Sequence, residues 1–94
     1  MVTDDQLLRM FKSGNRKAWD LLMARYQHRM ARLIARTIVD RAELEDELQY
    51  MQSKLEHDTA SFEGRNAASW YTWAYRVTRN EILKRTLKRH RDNE

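Results

Sequence analysis

One short stretch of the chain combines aromatic side chains and arginines in a pattern that suits nucleic-acid binding. It runs from Phe62 to Asn80 with the sequence FEGRNAASWYTWAYRVTRN. Aromatic faces can stack on unpaired bases, and guanidinium groups can neutralise phosphates. The stretch therefore indicates a surface for single-stranded nucleic acid. The alternative interpretation is an amphipathic helix whose aromatic residues fill a core while its arginines face water.

Charge falls into three blocks along the 94 residues, although the net charge is only +4. Residues 1–39 hold eight basic and three acidic side chains, residues 40–63 hold two and eight, and residues 64–94 hold eight and three. An acidic segment between two basic ones favours two different partner surfaces. Charge balance between neighbouring helices is the alternative explanation.

Composition and missing motifs argue against several other classes of protein. The chain has no cysteine, so neither a disulfide framework nor thiolate chemistry is expected. His28, His57 and His90 share no ligand spacing, and we expect no metal and no cofactor. Without a Gly-rich phosphate loop or a nucleophile elbow, a binding module is favoured over an enzyme. No apolar run approaches membrane-spanning length and no signal-peptide pattern opens the chain, which predicts a cytoplasmic protein with no membrane partner.

Helical periodicity and few helix breakers predict an all-α fold, a compact bundle of three long helices and a short N-terminal one. The chain has no proline and only two glycines. We expect one domain over residues 1–94. The predicted helices run from Asp4 to Lys12, from after Asn15 to about Val39, from Arg41 to Thr59, and from about Ser69 to Lys88, followed by a frayed tail.

The second predicted helix should be the spine of the bundle, because its apolar residues recur at helical spacing. The residues expected to be buried there are Trp19, Tyr26, Leu33 and Ile34. The third predicted helix has a thin apolar stripe and a wide acidic face. In the fourth, the residues expected to face inward are Trp70, Trp73, Ala74, Val77 and Ile82.

Three segments, in order and at compatible spacings, match the signatures of one known family. The opening segment, TDDQLLRMFKSGNRKAWDLLMARYQHRMARL, has an acidic-apolar helix, a Gly turn and a long helix. The run from Asp46 to Phe62 keeps the residues of a second signature, Asp46, Gln49, Lys54 and Phe62. The segment YTWAYRVTRN carries Thr72-Trp73, Tyr75-Arg76 and Asn80. Together the segments resemble region 2 of the extracytoplasmic-function sigma factors of bacteria.

The resemblance implies a domain that binds the clamp helices of the RNA polymerase core and reads the promoter minus-ten element as the strands separate. It assigns polymerase binding to the acidic face, at Asp46, Glu47, Gln49 and Tyr50. It assigns contacts with the non-template single strand to Phe62, Gly64, Arg65, Asn66, Tyr71, Trp73, Arg76, Arg79, Asn80 and Lys84. An extruded base would lie in the loop over residues 60–69. An anti-sigma factor is a further partner that the resemblance implies.

The chain also departs from the family pattern. Tyr50 stands where an acidic residue is usual, Ala74 replaces a usual leucine, and the connector after Gly64 is longer. We expect the family's second domain, which reads the minus-thirty-five element, to be absent from the chain. Two alternatives therefore remain: a designed or diverged helical protein that keeps the fold without binding DNA, and a helical interaction module whose acidic face binds a basic partner.

Overall fold

A computed structural model describes residues 1–64 and 66–92, so the site prediction at Arg65 lies outside the described residues. Within these ranges the protein is all-α, as predicted, with no strand. Four helices follow one another: α1 (Asp4–Lys12), α2 (Arg16–Ala35), α3 (Arg41–Thr59) and α4 (Ala67–Asp92). None of these helices is long and apolar enough to cross a membrane.

The first three helices begin where the sequence predicts, because each has a local side-chain cap. Thr3 and Gln6 form a capping box at α1, while Asn15 caps α2 and Asp40 caps α3. Each cap gives a hydrogen-bond acceptor to a backbone N–H that has no partner inside the helix. Between α1 and α2, Gly14 has a φ of +104°, a left-handed conformation that glycine adopts without a Cβ clash.

Helix α2 ends at Ala35, four residues before the predicted end at Val39. The backbone N–H groups of Thr37 and Ile38 both donate to the carbonyl of Ile34, at 3.0 Å each, which closes the helix in a turn. The three residues that follow Arg36 are β-branched and lose side-chain freedom in a helix, so the early end has a physical cause. Ile38 is nevertheless buried against the core.

Helix α4 begins at Ala67, two residues before the predicted start. The Asn66 side chain accepts a hydrogen bond from the Ser69 N–H at 2.9 Å. Asp5 of α1 accepts one from the Ala67 N–H at 2.5 Å. A carboxylate from another helix therefore helps to cap α4, and this contact could not be read from local sequence.

At its other end α4 continues to Asp92, so the prediction of a frayed tail after Lys88 was wrong for the residues described. Asn93 and Glu94 lie outside the described part of the chain. Arg89 accounts for the extra turn, because its guanidinium pairs with Glu43 and Glu47 of α3. These contacts hold the end of α4 against its neighbour.

Helix α2 is the spine of the bundle and packs against α1, α3 and α4. All four residues predicted to be buried there are buried: Trp19, Tyr26, Leu33 and Ile34. At the centre lies Trp70 of α4, which is fully buried and edge-on to the rings of Trp19 and Tyr26. Its indole N–H donates to Thr59 Oγ1 of α3 at 3.0 Å, so the core joins three helices.

The inward-facing side of α4 is narrower than predicted. Ala74 and Ile82 are buried as expected, whereas Trp73 and Val77 are only half-buried. Trp73 thus lies at the border between the core and the solvent-facing side of the helix. This position leaves part of its ring accessible to a ligand.

Candidate nucleic-acid interface

Four of the predicted DNA-binding residues form one stripe along α4, which we call the α4 outer face: Trp73, Arg76, Asn80 and Lys84. Their spacings of three, four and four residues place them on the same side of a helix, over a length of about 16 Å. Arg76, Asn80 and Lys84 are exposed. In the described part of the chain neither Arg76 nor Lys84 takes part in an ion pair, so both charges are free to meet phosphates.

An aromatic pair lies at the start of this face. The rings of Phe62 and Trp73 are 4.9 Å apart between centroids and tilted by 30°. Lys12 of α1 donates to the Phe62 carbonyl, and its ammonium nitrogen lies 5.7 Å from the centre of the Phe62 ring. A Cβ at Gly64 would overlap the Phe62 ring, so this position requires glycine for the ring to lie where it does.

An open groove of about 380 Å³ lies beside Trp73. Its lining combines an indole ring, two hydroxyl groups and a guanidinium, from the residues Ala68, Ser69, Thr72, Trp73 and Arg76. A flat ring with a charged partner suits a stacked base next to a phosphate. The Thr72 hydroxyl donates to the Ala68 carbonyl at 3.1 Å, so it offers a ligand only an acceptor, whereas the Ser69 hydroxyl can donate or accept.

The loop residue Asn66 has an observed structural role. Its side-chain oxygen accepts the Ser69 N–H, and its backbone carbonyl accepts the Trp70 N–H at 3.1 Å. Asn66 remains exposed, so its predicted DNA contact stays a prediction. The amide oxygen is engaged in capping α4, which leaves the amide NH₂ as the group that faces solvent.

Tyr71 lies on a different side of α4 from Trp73 and is engaged in contacts within the bundle. Its hydroxyl donates to Asp4 Oδ2 at 2.9 Å, and the Arg29 guanidinium lies 5.4 Å from its ring centre. The Tyr26 ring is 5.5 Å away. Burial, together with the Asp4 carboxylate, raises the pKa of Tyr71 to about 12. The structure therefore does not bring Tyr71 together with the α4 outer face.

Arg79 also lies beside the α4 outer face and not on it. It is exposed and lines a smaller cavity of about 220 Å³ between the end of α2 and α4. Leu33, Arg36 and Tyr75 line the same cavity. A phosphate contact by Arg79 would therefore involve the flank of α4, and its predicted role remains a prediction.

Only some of the residues predicted to form the acidic face of α3 are exposed to solvent. Asp46 and Gln49 are exposed and Tyr50 is half-buried, but Glu47 is 0% exposed. The prediction that Glu47 belongs to an exposed acidic face was therefore wrong. The cause is Arg85 of α4, whose guanidinium donates to both Glu47 oxygens, at 2.6 and 3.1 Å.

The environment of Glu47 keeps this carboxylate charged inside the protein. Burial opposes ionisation, but the guanidiniums of Arg85 and Arg89 outweigh it and hold the pKa of Glu47 below its ordinary value. The partners lie 38 and 42 residues further along the chain. Sequence reasoning missed them because nothing local to residue 47 marks a pairing at that distance.

Tyr50 is linked to the same part of α4. Its hydroxyl donates to Glu81 Oε1 at 2.8 Å, and the Arg85 guanidinium lies 3.7 Å from its ring centre. The hydrogen bond to Glu81 and, to a smaller extent, burial raise the pKa of Tyr50. Of the four predicted polymerase-binding residues, Asp46 and Gln49 are therefore the ones with freely exposed side chains.

Across residues 1–64 and 66–92, no group of three or more His, Cys, Asp or Glu side chains could hold a metal ion. The α4 outer face offers an indole ring, an amide and two cationic side chains, which are groups for stacking, hydrogen bonding and charge neutralisation.

The fold and this surface define a sigma-factor region 2 domain. An engineered region 2 of sigmaE, solved by NMR in complex with GTAAAA, matches the protein with a TM-score of 0.84 and 30% sequence identity. The match covers 99% of this chain and 95% of that one. No protein-family model matches the chain.

Sequence relatives point to the same group. The RNA polymerase sigma-H factor of Pseudomonas aeruginosa is 34% identical over 88 residues, which cover 94% of this chain. The sigma-E factors of Haemophilus influenzae and Escherichia coli are 37% identical over 79 residues, or 84% of this chain. The chain belongs to the extracytoplasmic-function sigma-factor family, and it spans 45% of the sigma-H factor and 40% of the two sigma-E factors.

Proposed function

We propose that the protein is a promoter-binding domain that recognises the minus-ten element as single-stranded DNA. The observation that carries the proposal is the Phe62–Trp73 pair, which lies at the head of a stripe formed by Arg76, Asn80 and Lys84. The match to an engineered sigmaE region 2 in complex with GTAAAA supports it. The proposed domain comprises residues 1–94 and acts by binding, not by catalysis.

Each residue of the α4 outer face has a separate part in the proposed complex. Trp73, supported by Phe62, offers a surface on which one base stacks, and the adjoining groove receives the ring of an extruded base. Arg76 and Lys84 neutralise DNA phosphates on either side of these bases. Asn80, between them, offers an amide that can read a base edge. Stacking and phosphate contacts offset the few kcal/mol that unstacking a base costs.

A second surface is proposed for the RNA polymerase core. Asp46 and Gln49 project from α3, within the segment that carries the chain's excess of acidic residues. We propose that they contact the clamp helices, which would place the domain's site of action in the cytoplasm with the polymerase. An anti-sigma factor would inhibit by covering either this surface or the α4 outer face.

The proposal is tested by titrating the protein against fluorescein-labelled GTAAAA and following anisotropy at several salt concentrations. We expect saturable binding at low salt that weakens as salt rises, because bound phosphates release counterions. The complementary strand, TTTTAC, is the matched control and should bind more weakly. If the folded protein shows no saturable binding to GTAAAA at low salt, a diverged or designed protein that keeps only the fold becomes the better description.

A further inference from the structure

The second half of α4 is attached to α3 through residues that directly follow the DNA-facing ones in sequence. Asn80 precedes Glu81, whose carboxylate accepts the Tyr50 hydroxyl. Lys84 precedes Arg85, which donates twice to Glu47. Adjacent helix residues point about 100° apart, so fixing Glu81 and Arg85 against α3 also fixes the directions in which Asn80 and Lys84 project.

Glu47 is the centre of this attachment. Among the described residues it is the only charged side chain that is buried, and it is fully buried. Both of its oxygens accept from Arg85, and Arg89 provides a further donor. Bidentate guanidinium–carboxylate pairs fix geometry as well as charge, so Glu47 restrains the rotation and the position of α4 over about one turn, from Arg85 to Arg89.

The first half of α4 is held by different contacts. Trp70 is buried in the core and bonded to Thr59, while Tyr71 is bonded to Asp4 of α1. Trp73 and Arg76 are therefore held by contacts that do not involve Glu47. The Asn80–Lys84 segment is held by the buried Ile82, by the Tyr50–Glu81 hydrogen bond and by the Glu47 pairs.

We propose that Glu47 is a positioning residue for base recognition: it aligns Asn80 and Lys84 with the stacking site at Trp73 through Arg85 and Arg89. This inference rests on the proposed DNA-binding function. It replaces a polymerase contact at Glu47 with a role inside the domain. It also predicts that loss of the Glu47 charge separates stacking from base discrimination.

The first test measures backbone amide hydrogen exchange by NMR in wild type, Glu47→Gln and the control Glu45→Gln, without DNA. Glu45 lies on the same helix but is exposed and paired only at 3.9 Å with Arg41. We expect Glu47→Gln to raise exchange at residues 80–88 about tenfold, the value of one charge-assisted hydrogen bond, with no change at residues 70–76. Glu45→Gln should leave both segments unchanged. If residues 80–88 keep wild-type protection in Glu47→Gln, the proposal is wrong.

The second test measures how Glu47→Gln alters the effects of two substitutions on affinity for GTAAAA. Each effect is the factor by which a substitution weakens binding. In the Glu47→Gln background this factor for Asn80→Ala should be at least about threefold smaller than in wild type, whereas the factor for Trp73→Ala should be the same in both backgrounds. Equal loss for both would mean a general structural role and would overturn the proposal. If Glu47→Gln does not fold, Arg89→Ala replaces it, since Arg89 is partly exposed and its loss leaves the Arg85 pair in place.

The two tests separate this inference from the proposed function. Absence of GTAAAA binding by the wild type would contradict DNA binding, and positioning for base recognition would fail with it. Wild-type DNA binding combined with unchanged exchange and an unchanged Asn80→Ala effect in Glu47→Gln would contradict the positioning role alone.

Discussion

The Tyr71 hydroxyl donates a hydrogen bond to Asp4 Oδ2 at 2.9 Å, which ties the start of α4 to the first turn of α1. Asp4 also accepts from Arg25 of α2 at 2.7 Å, so one carboxylate joins three helices. The hydrogen bond from Arg25 is the largest cause of the lowered pKa of Asp4. An aromatic residue in the middle of a nucleic-acid-binding pattern is thus part of the scaffold that supports the binding surface.

Tyr71→Phe should reduce the free energy of unfolding by about 1 kcal/mol, because it removes one hydrogen bond in a partly exposed setting. The pKa of Tyr71 is raised from 10.0 to about 12 by folding, so its contribution is complete below pH 10 and disappears as pH rises from 10 to 12. Urea unfolding at about pH 8 and about pH 11 measures this loss. Tyr75→Phe, at an exposed tyrosine, is the control, and an identical pH dependence in wild type and Tyr71→Phe would contradict the prediction.

Trp73→Ala should weaken binding to GTAAAA by about 1–3 kcal/mol, the usual value of one base–aromatic stack. Phe62→Ala should weaken it less, because Phe62 contacts the Trp73 ring but does not itself line the groove. Helicity by circular dichroism must stay at the wild-type level for either result to count. Trp70→Phe is the contrasting variant, since it should lower stability through the lost bond to Thr59 without a selective effect on DNA. If folded Trp73→Ala binds GTAAAA with wild-type affinity, the proposal that a base stacks on Trp73 is wrong.

Arg76→Ala and Lys84→Ala should each reduce the slope of log affinity against log salt by up to about one unit, because each removes one phosphate contact. Arg79→Ala should have a smaller effect, since Arg79 lines the neighbouring cavity. Arg41→Ala removes the same charge from the exposed start of α3 and serves as the control. If the slope of log affinity against log salt is the same for Arg76→Ala as for Arg41→Ala, Arg76 on the α4 outer face does not contact DNA phosphates.

Asp46→Lys should weaken binding to the RNA polymerase core while leaving both helicity and GTAAAA affinity unchanged. The reason is that the Asp46 side chain is exposed on α3 and takes part in no ion pair in the described part of the chain. Binding is measured by surface plasmon resonance with immobilised core enzyme. Asp20→Lys makes the same charge change at an exposed position of α2 and should bind normally. Normal binding by Asp46→Lys would exclude this residue from the polymerase interface.

The free energy of unfolding should fall at low pH, in part because Glu47 becomes protonated. Its pKa is lowered from 4.5 by folding, so its contribution is complete above pH 4.5 and is lost as pH falls through the lower folded value. Glu47→Gln should be less stable than wild type at neutral pH, because Arg85 and Arg89 lose a charged partner. It should also lose less stability below pH 4.5. Thermal unfolding across this pH range tests both points. The control Glu45→Gln should follow the wild-type dependence of stability on pH. If stability depends on pH in the same way in Glu47→Gln as in wild type, Glu47 does not contribute to the loss of stability in acid.

Local sequence determined most of the secondary structure. The caps at Thr3, Asn15 and Asp40 place the starts of three helices within a few residues of the groups that they bond, so they can be read directly from the chain. Apolar spacing also identified the buried side of α2, because a helix of known period fixes which of its residues share a face. The aromatic-basic stretch identified α4 as the candidate DNA-binding helix.

Only the tertiary structure decided which face of each helix meets which neighbour. Helical periodicity gives the faces of α3 and α4 but not their mutual rotation, so it could not show that Glu47 faces Arg85 or that Tyr71 faces Asp4. The end of α4 depends in the same way on Arg89 reaching α3. These contacts join residues about 40 to 70 positions apart, and their geometry arises from packing three helices on α2, which no local pattern encodes.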